Sequence, residues 1–136
     1  MDVCYRKGET ERLTKIRKKA IKLMKQHGLM KGDNPWQFTF NYTKTSLGLC
    51  SYAEREIQLS KYWMLSIRYQ DAVQTILHEI AHALTQGHNH DDVWSKKCIE
   101  IGGDGKRCYE GEFQRKHKNL DYNYPEHKRY RIGHDC

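Results

Sequence analysis

The segment from Tyr69 to Gly87 constrains this 136-residue chain more than any other. It contains His78-Glu79-Ile80-Ala81-His82 inside an eighteen-residue amphipathic pattern. Stepping about 100° per residue, Val73, Ile76, Leu77, Ile80, Ala83 and Leu84 fall on one side of a helix. Asp71, Gln74, Thr75, Glu79, His82, Thr85 and Gln86 all fall within about 100° of His78 on the other. The pattern predicts a helix over 69–86, closed by Gly87, with an apolar back anchored in a core and the two histidines at the centre of its polar face.

That placement carries chemistry. Residues four apart on a helix are separated by about 40° around its axis, so both imidazoles reach one ion at roughly 2.0–2.1 Å from each nitrogen. Zinc suits two imidazoles. Glu79, beside the first histidine, lies next to that ion without ligating it and can take a proton from a zinc-bound water and pass it to a leaving amine. A catalytic zinc also needs a third protein ligand and an open position. Gly87-His88-Asn89-His90 offers two candidates, His88 and His90, just before a third helix that Asp91 or Asp92 would cap and Gly102-Gly103 would end.

Upstream, Leu13, Ile16, Ala20, Leu23, Met24 and His27 recur at steps of three and four. They predict a helix over 10–27, with Thr10 as N-cap and Gly28 at C′. Trp36, Phe38, Phe40 and Tyr42 then alternate with Gln37, Thr39 and Asn41, the pattern of a half-buried strand with an aromatic face. A second strand is predicted over 43–52, interrupted by Gly48, and a third over 56–60. Short connections make an antiparallel meander the simplest pairing. The last 33 residues show no period.

Charge is localised. Residues 1–31 hold ten basic and three acidic side chains, which account for the whole formal excess of +7. Arg12, Lys15, Arg17, Lys18, Lys19, Lys22 and Lys25 line the first predicted helix and point to a polyanion such as nucleic acid as partner. The remainder is balanced. No run of eighteen apolar residues and no signal-peptide pattern occur, so a membrane is not an expected partner. Five scattered cysteines without a CxxC pair argue against a disulfide scaffold and for reduced thiols in a cytoplasmic setting, at a nucleoid or within a host cell.

Several segments, in order and spacing, resemble the SprT-like (Spartan-type) zinc metallopeptidase family over roughly residues 10–103. These are Trp36-Gln37-Phe38-Thr39-Phe40-Asn41, Gly48-Leu49-Cys50, Glu56-Ile57-Gln58-Leu59-Ser60, Thr75 through Ala83, and His90-Asp91-Asp92-Val93-Trp94. In that family the third ligand is a histidine followed four residues later by a bulky aromatic, a pattern that His90 and Trp94 match and His88 does not. The resemblance implies an α+β, zincin-like fold: an N-terminal helix, a small three-stranded antiparallel sheet, the ligand-bearing helix and a second ligand helix. It implies a metallopeptidase domain over 1–103, and the residues beyond it, 104–136, read as a basic, tyrosine-rich, irregular extension. It implies one catalytic zinc on His78, His82 and His90 with Glu79 as general base, a protein substrate, and DNA, including single strands, as a partner in removing crosslinked proteins. Asp91 stands where many members carry glycine. Cys108 and Cys136, near His117, His127 and His134, supply residue types for a degenerate zinc tail, but without a CxxC pair a second, structural ion is not expected. Two other readings follow from the same residues: a non-catalytic, zinc-stabilised nucleic-acid-binding module, and a regulatory protease independent of DNA.

Overall fold

The computed structural model describes residues 7–106 and two short strands at 108–109 and 132–133. Helix α1 (Lys7–Gln26) leads into β1 (Gln37–Asn41), β2 (Gly48–Ser51), β3 (Glu56–Ser60), a short α2 (Lys61–Met64), α3 (Tyr69–Leu84) and α4 (Asp92–Glu100). β4 (Cys108–Tyr109) and β5 (Ile132–Gly133) form an antiparallel pair within the region predicted to be irregular. The rest of the expected extension, with Cys136, His117, His127 and His134, lies outside the described residues.

The core follows the predicted apolar positions. Leu13, Ile16, Ala20, Leu23 and Met24 of α1 are buried together with Phe38, Ile57, Leu59, Ile76 and Ile80. α3 occupies the centre, touching α1, α4, β2 and β3. Thr10 lies inside α1 rather than capping it, since the helix begins at Lys7. Sequence periodicity passed over α2 because four residues show no period. Ser60 starts it by accepting a hydrogen bond from the Trp63 N–H at 3.4 Å.

The α+β architecture and the three-stranded sheet match expectation, but the strand pairing does not. The order is β1-β3-β2, with β1 parallel to β3 and β2 antiparallel to it. The cause is the route of residues 42–47, which form a loop instead of the start of a second strand. That loop passes over the C-terminal end of β3, where the Ser60 hydroxyl donates to the Thr43 carbonyl at 2.6 Å and the Ser60 N–H to the Leu47 carbonyl at 3.0 Å. The chain thus crosses to the far side of β3 before returning as β2. β3 takes the middle because Ile57 and Leu59 are fully buried between their neighbours.

α1 is fastened by one of its basic residues. The Arg12 guanidinium donates from Nε to the Met64 carbonyl at 2.9 Å and from a terminal nitrogen to the Ile67 carbonyl. Lys15 places its ammonium 4.2 Å from the centroid of the Tyr69 ring. Of the seven basic residues assigned to nucleic acid, Arg12 is therefore directed into the fold, while Arg17, Lys18, Lys22 and Lys25 are exposed. Hydrogen bonds from a charged donor contribute about 1.5–3 kcal/mol each when their loss leaves carbonyls unsatisfied. Arg12→Ala is expected to lower unfolding free energy by about 2 kcal/mol, and Lys18→Ala by less than about 0.5 kcal/mol, in a denaturant titration.

Candidate metal centre

The centre of the polar face of α3 is buried rather than wet. Thr75, His78, Glu79, His82 and Thr85 are all buried, with Glu79 and His82 fully enclosed. β2 and α4 cover this face, so a helix read as amphipathic becomes buried on both sides. Its two inward threonines satisfy their hydroxyls within the helix. Thr75 donates to the Asp71 carbonyl at 2.9 Å and Thr85 to the Ala81 carbonyl at 2.7 Å.

The Nε2 atoms of His78, His82 and His90 form a nearly equilateral triangle with edges of 3.0, 3.1 and 3.2 Å. Three imidazole nitrogens aimed at one another cannot all be served by any assignment of protons, because each contact needs one donor and one acceptor. One cation serves all three. Tetrahedral ligation with bonds of 2.0–2.1 Å would set the nitrogens about 3.3–3.4 Å apart, close to the observed spacing. Among the described residues, these three histidines form a group able to hold a metal ion, and the donor set fits zinc.

His90 reaches the other two through an unusual backbone. Its φ is +58°, a left-handed conformation that costs a non-glycine residue about 1–2 kcal/mol. Gly87, at φ +90°, turns the chain after α3, and the kink at His90 aims the ring back at that helix while Asp91 begins the next one. His88 is turned away. Its Nδ1 lies 2.7 Å from Asp91 Oδ2, while Asp91 Oδ1 accepts from the Trp94 N–H at 3.0 Å. Those contacts, the Trp94 N–H foremost and His88 next, hold the Asp91 carboxyl below its ordinary range. A carboxyl lowered in the folded state stabilises that state fully above its ordinary titration range, and the contribution is lost as pH falls below that range and through the lowered folded-state value. The α4 cap is thus intact at neutral pH and weakens in acid.

Trp94 braces all three ligands. Its ring stacks on His82 at 5.1 Å and meets His78 and His90 edge-on at 4.6 and 4.9 Å. Its indole N–H donates to the His78 carbonyl at 3.3 Å. Tyr52, in the turn after β2, donates its hydroxyl to the His82 carbonyl at 2.8 Å. Sequence reasoning gave neither residue a role at the site. The i, i+4 spacing of His90 and Trp94 served to mark the ligand without revealing what Trp94 itself does, and Tyr52 had no signal. Behind Trp94, burial pushes the Cys98 thiol up, so it stays protonated at neutral pH and is no thiolate ligand.

A family model described as SprT-like matches residues 16–119. The chain belongs to the SprT-like family. Among solved structures, this SprT-like chain is similar to the metallopeptidase zymogen jannalysin of Methanocaldococcus jannaschii. The identity is 17% over 63% of this chain and 88% of that one, with a TM-score of 0.52. The zymogen abylysin of Pyrococcus abyssi aligns at 15% identity over 65% and 77%, with a TM-score of 0.48. The first likeness shows a shared fold. No curated protein matches significantly. The departure from glycine after the third histidine is accommodated, because Asp91 has φ −90° and uses its side chain as the α4 cap.

Removing a donor from the triangle leaves two nitrogens, whereas His88 lies outside it. His90→Ala is expected to lose stoichiometric zinc and His88→Ala to retain it, as read by metal analysis after dialysis.

Proposed function

We propose that this chain is a zinc-dependent endopeptidase that acts on proteins at or near DNA. The observation that carries the peptidase reading is the triangle of His78, His82 and His90 with the Glu79 carboxylate beside it, Oε2 lying 4.0 Å from His78 Nε2. Family membership and the metallopeptidase fold support it. His78, His82 and His90 would hold the ion, which when bound supplies a Lewis acid that polarises a carbonyl and acidifies water.

The protein side chains supply the rest. Glu79 is fully enclosed and one residue from a ligand, positioned to accept a proton at its carboxylate and return it to the amine that leaves when a peptide bond breaks. Enclosure strengthens its interactions because little water screens them. Trp94 and Tyr52 hold the ligand helix through its carbonyls, which keeps the imidazoles aimed while charge shifts beside them.

The DNA part of the proposal rests on α1. Arg17, Lys18, Lys22 and Lys25 are exposed on a helix that carries much of the chain's positive excess. A polyanion neutralises such a surface and releases counterions.

Two measurements test these readings. Glu79→Gln should keep stoichiometric zinc and lose peptide cleavage by about 10²-fold or more, the scale of general acid–base catalysis. Undiminished cleavage would remove Glu79 from the mechanism. Charge removal at Arg17, Lys18 and Lys22 should reduce the slope of log K against log salt for single-stranded DNA by about 2. An unchanged slope would detach DNA from α1 and favour a peptidase that ignores it.

A further inference from the structure

From the packing around Glu79, we infer that Gly48 is a positioning residue, whose missing side chain sets where the Glu79 carboxylate stands. The inference rests on the peptidase reading and names a second residue on which that site depends.

Gly48 opens β2 and pairs with Leu59 across the antiparallel ladder. Glycine is a poor choice for a strand, since it loses more conformational freedom than other residues and offers nothing to pack. The backbone does not ask for it, because Gly48, unlike Gly87 and Gly102, does not adopt a left-handed φ. What asks for it is space. A Cβ at this position would stand 2.9 Å from Glu79 Oε2, 3.1 Å from Glu79 Cγ and 3.2 Å from Leu59 Cδ2. Among the described glycines, Gly48 alone has its Cβ position against Glu79. The carboxylate therefore lies directly on the backbone of β2, and the strand acts as the wall that stops it.

The nature of the clash decides what a substitution does. The one contact below 3.0 Å is to the far end of a rotatable side chain, so a methyl group is accommodated by turning the carboxylate aside, with Glu79 Cγ and Leu59 Cδ2 giving way by a few tenths of an ångström. His78, His82 and His90 meet no such contact. Gly48→Ala thus displaces the proton-accepting group and spares the metal ligands. Misplacing a reacting group by about 1 Å can cost on the order of 10²-fold in rate.

The experiment compares the full chain with Gly48→Ala, Glu79→Gln and the double variant, each loaded with zinc. Gly48→Ala is expected to lower kcat about 10- to 100-fold with KM, zinc content and melting temperature unchanged. In the double variant the loss should equal that of Glu79→Gln alone, because residues acting through one group are not additive. A crystal structure of Gly48→Ala should show the Glu79 carboxylate displaced and the three imidazoles in place, a readout that requires no activity. An unchanged kcat in Gly48→Ala while Glu79→Gln is inactive would overturn the inference and leave the peptidase reading standing. Additive losses in the double variant, or loss of zinc or of melting temperature in Gly48→Ala, would overturn it too by making the glycine merely structural. A native chain without peptidase activity would instead overturn the peptidase reading, and with it the catalytic meaning of Gly48.

Discussion

Three imidazole nitrogens held within 3.2 Å of one another, two of them on buried residues and the third on half-buried His90, are the constraint around which the rest of the molecule is arranged. Neutral histidines gain little from such an arrangement, and protonated ones would repel. The convergence is tolerable only where surrounding contacts enforce it and a cation completes it. Trp94 on the imidazole faces, the Tyr52 hydroxyl on the His82 carbonyl and the left-handed turn at His90 are those contacts. Each comes from a different element, so the site depends on the assembled fold.

The same constraint accounts for the burial of α3. A helix with histidine, glutamate and threonine on one side would ordinarily keep that side in water. Here β2 and α4 close over its centre, where burial makes an unserved polar group costly. The threonines turn to their own helix, and the histidines turn to each other. Glu79 sits against Gly48. Next to the left-handed backbone at His90, Asp91 caps α4 while its other oxygen holds His88 out of the cluster. The loop between two helices thereby selects one of two nearby histidines.

Much of this was legible in the residues, and the limits of legibility have physical causes. Periodicity located α1 and α3 to within a few residues, because each buries a stripe at helical spacing, and the Asp91/Asp92 cap with Gly102-Gly103 located α4. The sheet was legible as three strands and illegible in its pairing. Alternation says which face of a strand is buried, but not which neighbour it joins. The parallel union of β1 with β3 follows from Ser60 holding the 42–47 loop across the end of β3, a contact between residues seventeen positions apart in one case. Charge was legible in amount and not in use. Arg12 looked like its exposed neighbours until the fold brought two carbonyls to its guanidinium.

By itself the sequence determined that a helix would carry His78, Glu79 and His82 on one face, because helical geometry makes residues four apart neighbours wherever the helix lies. It also determined that His88 or His90 could join them. The spacing of His90 to Trp94, read through the family resemblance, favoured His90, while tertiary structure alone decided how its ring closes the triangle, that the Trp94 ring packs against the ligands and that β2 stops the Glu79 carboxylate. These are contacts between distant segments, set by how a loop crosses a strand end and how two helices meet, and no local spacing encodes them.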